Sequence, residues 1–171
     1  MNQPFSAHPV SLGIVGTNFI SDLLCDAAKQ CGIPLNAVYS RRRETGDAFA
    51  KKHGILTVYD DFDAFCKSDA FSCAYVASPN CCHFPQSLAL LESGKHVLCE
   101  KPITSALSEF PILRDAAVSR GLVLLEAMRP AYDPSLAIIR SLLPRCGTIR
   151  HAVIEYSQYS SRYDRFQNGI M

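Results

Sequence analysis

Short apolar runs alternate with longer amphipathic ones along most of the chain. Residues 10–15 are apolar nearly throughout and read as a buried strand that stops at Gly16. Residues 19–30 follow, with Ile20, Leu23, Leu24 and Ala27 at helical spacing, and Gly32 and Pro34 end that helix. The alternation repeats with a strand over 35–40 and a helix over 44–53 that Gly54 closes. A short strand over 56–59 and a short helix, capped by Asp60 or Asp61 and reaching Cys66, come next. A strand over 71–77, a helix over 84–92, a strand over 96–99, a helix over 105–119 and a strand over 122–125 complete the series. Strands without a wet face, separated by helices, predict an α/β fold with a doubly wound parallel sheet.

The pattern changes after Leu125. Asp133-Pro134 is a good helix start, an N-cap followed by proline at the first helical position, and the helix is predicted to end near Leu143. Residues 149–159 then alternate apolar and polar positions, which predicts an antiparallel strand with one wet face. A domain boundary is expected near Glu126, giving units 1–125 and 126–171. The second unit is too short for an independent core.

Composition narrows the class. Of 171 residues, 48% are hydrophobic and 19% charged, a globular balance. Lys and Arg number 17 against 16 Asp and Glu, so the net charge of +1 argues against bulk attraction to nucleic acid or anionic membrane. No apolar run approaches the roughly 18 residues of a membrane span, and the first residues lack the pattern of a signal peptide. The eight cysteines form no C-x-x-C pair. They read as reduced, mostly buried fillers of a cytoplasmic protein. Cys81, Cys82 and His83 suggest a metal site only superficially, since adjacent cysteines at a helix start suit that geometry poorly, and no metal is expected.

Three segments carry candidate chemistry. Gly16-Thr17-Asn18-Phe19-Ile20-Ser21 forms the first strand-to-helix turn, where a helix N-terminus can hold a dinucleotide pyrophosphate. Compared with G-x-G-x-x-G, Asn18 replaces the second glycine and is expected to crowd the phosphate, while Ser21 is small enough for helix and sheet to pack. Ser40-Arg41-Arg42-Arg43 ends the second strand, where an acidic residue would bind the ribose 2′-hydroxyl of NAD. A hydroxyl and arginines instead offer donors to a 2′-phosphate, which favours NADP over NAD. Glu100-Lys101-Pro102 ends the fifth strand, on the edge where open α/β sheets bind ligands. Lys101 there can donate to a substrate oxygen.

The chain resembles the Gfo/Idh/MocA oxidoreductase family, which includes inositol and dihydrodiol dehydrogenases. The matching segments are 13–17, Ser40-Arg41, 77–80 with His83, 90–102, and 125–130, the run from Gly94 to Pro102 being the most specific. The resemblance implies a Rossmann domain that binds NADP or NAD, and hydride transfer to or from a secondary alcohol of a sugar, polyol or cyclic diol. It assigns substrate contact to Lys101. Glu100 and Pro102 shape the loop. Pro79, Asn80 and His83 lie along the nicotinamide half, and Ser78, Glu100 and Lys101 are assigned to cofactor binding. Met128 and Arg129 join the cofactor contacts.

Family members are longer, and their second half is a large sheet that covers the active site and often builds a homo-oligomer. A downstream Asp-x-Gly-x-(His or Tyr) motif supplies their second catalytic group. Residues 126–171 contain no such motif. By this resemblance the chain is a truncated form that retains mainly nucleotide binding. The rival expectations are a non-catalytic NADP-binding module and a degenerate fragment.

Overall fold

The computed structural model of the chain describes residues 10–157 together with Tyr163 and Gln167. Strands β1 (Leu12–Val15), β2 (Leu35–Tyr39), β3 (Thr57–Tyr59), β4 (Cys73–Val76), β5 (His96–Cys99) and β6 (Leu124–Glu126) form one sheet in the order β3-β2-β1-β4-β5-β6. Every neighbouring pair is parallel. Between the strands run α1 (Phe19–Gln30), α2 (Arg43–His53), α3 (Phe62–Cys66), α4 (Asn80–Glu92) and α5 (Glu109–Ser119). The expected Rossmann topology is present. The strand order reverses between β1 and β4, so a crevice opens beyond their carboxyl ends.

Two separate cores explain why the strands carry no wet face. Leu12, Ile14, Val38, Tyr75 and Ala77 turn to one side and bury Cys25 and Ala28 of α1 and Phe49 and Ala50 of α2. Val15, Ala37, Ala74, Val76, Val97 and Cys99 turn to the other and meet Phe65 of α3, Leu90 and Leu91 of α4, and Leu113 and Ala117 of α5. Adjacent strand residues alternate between the two cores, as a pleat requires. Gly46 lets α2 lie close to the end of β2. A Cβ at that position would stand 2.7 Å from Val58 Cγ1 and 3.3 Å from Ser40 Cβ.

Three elements differ from the sequence pattern. Helix α4 begins at Asn80, four residues before the helical core expected over 84–92, and Pro79 serves as its N-cap. Helix α5 begins at Glu109, not Ser105, because the Glu109 carboxylate turns back to accept the N–H groups of Ser105 and Ala106, each at 3.1 Å. The expected strand over 149–159 is absent from residues 149–157, which are irregular, and Ile154 is 95% exposed. A strand draws its stability from a partner's side chains and ladder, and alternation alone supplies neither. Gln158 and Tyr159 lie outside the described residues.

The chain divides into two compact units between Arg129 and Pro130. The second contains α6 (Pro134–Leu142), whose Asp133 cap accepts from the Ser135 N–H at 2.8 Å. Among the described residues no helix is long and apolar enough to cross a membrane.

Candidate functional site: a cleft at the strand reversal

A cleft of about 610 Å3 opens at the carboxyl ends of β1, β2 and β4. It gathers Gly16, Thr17, Asn18, Ser40, Arg41, Arg42, Ser78 and Pro79, all expected from the sequence, with Val15, Tyr39, Thr45, Ala77, Cys82 and Gln86. Phe19, Ile20, Asn80, His83, Glu100, Lys101, Met128 and Arg129 are not part of its wall.

The floor of the cleft is set by Gly16. Its φ is +98°, and a Cβ there would sit 2.9 Å from the Ala77 carbonyl oxygen. The β1–α1 turn thus passes against the backbone that follows β4. Asn18 does not stand over the turn as its place in the motif suggests. It is the N-cap of α1, with φ −88°, and its Oδ1 accepts from the N–H groups of Ile20 (2.9 Å) and Ser21 (3.3 Å). Its Nδ2 donates to the Ala77 carbonyl at 2.5 Å. The side chain is therefore folded onto the backbone and tethers α1 to the end of β4. Ser21 is fully buried beneath it. Asn18→Ala is expected to lower stability by about 1–2 kcal/mol through loss of the cap, read as a fall in the thermal midpoint. Asn18→Asp keeps the cap acceptor but sets an oxygen against the Ala77 carbonyl, so it separates the cap from the tether.

At the end of β2, Ser40 is 7% exposed. Its Oγ lies 2.6 Å from Thr45 Oγ1, which itself donates to the Arg42 carbonyl at 2.8 Å. Thr45 has one hydrogen and spends it on that carbonyl, so Ser40 donates to Thr45. The hydroxyl expected to serve a ligand phosphate is thus engaged within the protein, and the arginines remain as the donors. Arg43 pairs with Asp47 at 3.1 Å along α2. Arg41 and Arg42 are exposed, and among the described residues neither makes an ion pair.

On the far wall, Ser78 Oγ donates to Gln86 Oε1 at 2.6 Å. His83 is 1% exposed, so it reaches no ligand directly. Its two ring nitrogens face the Pro102 carbonyl (2.7 Å) and the Ser78 carbonyl (2.9 Å), linking the end of β4 to the loop after β5. Glu100 is likewise occupied. It accepts from the Tyr75 hydroxyl at 2.6 Å and from the Lys101 N–H at 3.3 Å. Burial and the Glu100 carboxylate push the Tyr75 hydroxyl well above its ordinary range. Glu126, at the end of β6, accepts from the Ile103 N–H at 2.8 Å. Two carboxylates thus fasten the loop that carries Lys101, and Lys101 itself is exposed at the sheet's carboxyl edge, as are Met128 and Arg129.

Sequence reasoning passed over Tyr39, Thr45 and Gln86, and weighed Cys82 only as a metal ligand. Cys82 and Gln86 are four residues apart and share one helix face. Starting α4 at Asn80 would have exposed that signal.

These residues suit a dinucleotide. Gly16 leaves the space that a Cβ would fill, α1 points its N-terminus at the cleft, and two unpaired guanidiniums stand at one end. Residues 10–128 match the profile of an oxidoreductase family with an NAD-binding Rossmann fold, Gfo/Idh/MocA. Scyllo-inositol 2-dehydrogenase (NADP(+)) of Bacillus subtilis is 39% identical over 95% of this chain, which covers 50% of that enzyme. Trans-1,2-dihydrobenzene-1,2-diol dehydrogenase of Oryctolagus cuniculus is 30% identical over 87% of this chain and 45% of its own length. Among solved structures, a 3-ketoreductase from Actinomadura kijaniata in complex with TDP-benzene and NADP superposes with a TM-score of 0.75 at 26% identity, over 81% of this chain and 44% of that one. The chain spans about half the length of these relatives. Fold, cleft and sequence agree, and the chain belongs to the Gfo/Idh/MocA family of oxidoreductases, whose NAD-binding Rossmann domain it carries.

Proposed function

We propose that the chain is the cofactor-binding part of an NADP-preferring dehydrogenase acting on a secondary alcohol of a sugar, polyol or cyclic diol. The observation that carries the cofactor choice is the end of β2, where Arg41 and Arg42 are exposed without carboxylate partners among the described residues and no acidic residue occupies the 40–43 segment. A 2′-phosphate would supply the counter-charge these arginines lack, and a guanidinium grips phosphate with paired N–H donors. The NADP named for the Bacillus subtilis relative is consistent with that choice.

When bound, the nicotinamide supplies the hydride acceptor or donor. The turn at Gly16 and Thr17 and the N-terminus of α1 take the pyrophosphate. Ser78, Pro79 and Asn80 flank the nicotinamide half. Lys101 is held out at the sheet edge by a loop that Glu100 and Glu126 pin. From there its ammonium donates to the oxygen of the reacting carbinol or carbonyl and lowers the cost of charge developing on it. Met128 and Arg129 border the same edge. Residues from Pro130 onward begin the substrate domain of this reading. It further implies a cytoplasmic enzyme with a small-molecule substrate, and homo-oligomers where the substrate domain is whole.

Titration of the chain with NADPH and NADH, followed by cofactor fluorescence, tests the cofactor choice. Arg41→Ala is expected to weaken NADPH about 10- to 100-fold, the scale of a charged hydrogen bond, and to leave NADH within about twofold. Equal losses for both cofactors would remove the 2′-phosphate from the explanation.

A further inference from the structure

Successive residues of an α-helix point about 100° apart, so neighbouring side chains ordinarily diverge. In the first turn of α4 the opposite holds. The Sγ atoms of Cys81 and Cys82 lie 3.9 Å from each other. Two sulfurs bound at about 2.3 Å to one tetrahedral centre stand about 3.8 Å apart. The pair is thus spaced to grip a third atom. It is poorly placed to close on itself, since adjacent Cα atoms lie about 3.8 Å apart across a trans peptide and disulfides span about 4.4–6.8 Å. Cys81 is exposed, and Cys82 is half-buried in the wall of the cleft. Of the remaining cysteines, Cys25, Cys66 and Cys99 are buried and Cys73 nearly so, their thiols pushed up to about 11, or to about 12 for Cys99, chiefly by burial. Cys31 and Cys146 are exposed, but each is followed by glycine and has no neighbouring thiol in sequence.

We propose that Cys81 and Cys82 form a dithiol site for a soft trivalent metalloid of the arsenical class, and that this site and the dinucleotide exclude each other. The exclusion rests on the cofactor reading above. Cys82 shares the cleft wall with Gly16, Asn18 and Arg41, so a bulky group on its sulfur occupies the space assigned to the cofactor. The chemistry balances without an oxidant. An organoarsenic(III) oxide takes two thiols, two As–S bonds form, the As–O bond breaks, and both thiol protons leave with that oxygen as one water. Burial and the neighbouring Cys81 thiol push the Cys82 thiol up, while Arg41 draws it down. A reagent whose own oxygen carries away both protons is therefore better matched to this pair than one that needs a preformed thiolate.

The reduced 171-residue chain is treated with one equivalent of phenylarsine oxide and weighed intact. One phenylarsenic group is expected, resistant to excess 2-mercaptoethanol and released by 2,3-dimercaptopropanol. Cys81→Ser and Cys82→Ser should each abolish the resistant adduct. The double variant Cys31→Ser/Cys146→Ser should keep it. Saturating NADPH should slow its formation at least tenfold. A resistant adduct that survives in Cys82→Ser, or none in the parent chain, overturns the dithiol site. Binding of NADPH, measured separately by fluorescence, without protection overturns the exclusion. Failure of NADPH to bind at all counts against the cofactor reading, and the mass measurements then decide the dithiol site on their own.

Discussion

Gly16→Ala is expected to lower stability by about 2–4 kcal/mol and to weaken NADPH at least tenfold. Two costs combine. The φ of +98° lies where a side chain is strained, worth about 1–3 kcal/mol in a folded protein. The added Cβ would also stand 2.9 Å from the Ala77 oxygen and 3.2 Å from its carbonyl carbon, and both belong to backbone that no rotamer change can move aside. Relief requires the β1–α1 turn and the segment after β4 to separate. That separation breaks the Asn18 tether to Ala77 and displaces the N-terminus of α1, where the pyrophosphate is proposed to bind. The thermal midpoint should fall roughly 5–15 °C. A midpoint within 2 °C of the parent, with NADPH binding unchanged, would contradict the close approach of these two segments.

The same residues mark how far the sequence could be read. The parallel strands were legible because burial on both faces leaves an unbroken apolar run, as in Leu12–Val15 and Cys73–Val76. Gly16 and the arginines at 41 and 42 were legible as cleft residues because a strand-to-helix turn and a cationic strand end have local signatures. The roles of Asn18 and His83 were not. Each depends on a carbonyl supplied from elsewhere in the chain, Ala77 lying 59 residues after Asn18 and Pro102 lying 19 residues after His83. A local pattern holds no record of such partners. Glu100 illustrates the same limit, since its environment is made by Tyr75 on the neighbouring strand. Lys95, within the most specific run of the sequence, is also structural. It is buried, donates to the Ser68 carbonyl at 2.6 Å and lies over the Phe71 ring. Alternation over 149–157 misled for the converse reason, because a period of two describes a strand only where a partner edge exists.

His83→Leu should cost about 2–4 kcal/mol and loosen the loop that carries Lys101. The imidazole is buried against two backbone carbonyls, and leucine fills most of its volume while offering neither a donor. A ring with one N–H donates one of these hydrogen bonds, worth about 1 kcal/mol, and the buried carbonyl it leaves unpaired costs about 1–3 kcal/mol. The effect differs from simple core damage because of where the carbonyls lie. Ser78 is in the wall of the cleft and Pro102 follows Lys101, so the ring joins the proposed cofactor wall to the proposed substrate lysine. Amide hydrogen exchange separates the two possibilities. The Ile103 N–H, bonded to Glu126 at 2.8 Å, should exchange at least tenfold faster in His83→Leu than global destabilisation accounts for, and NADPH affinity should fall several-fold. His83→Gln retains an amide donor and is expected to recover part of both. If exchange at Ile103 merely follows the fall in global stability, and His83→Gln behaves like His83→Leu, then His83 fills space and does not position the loop.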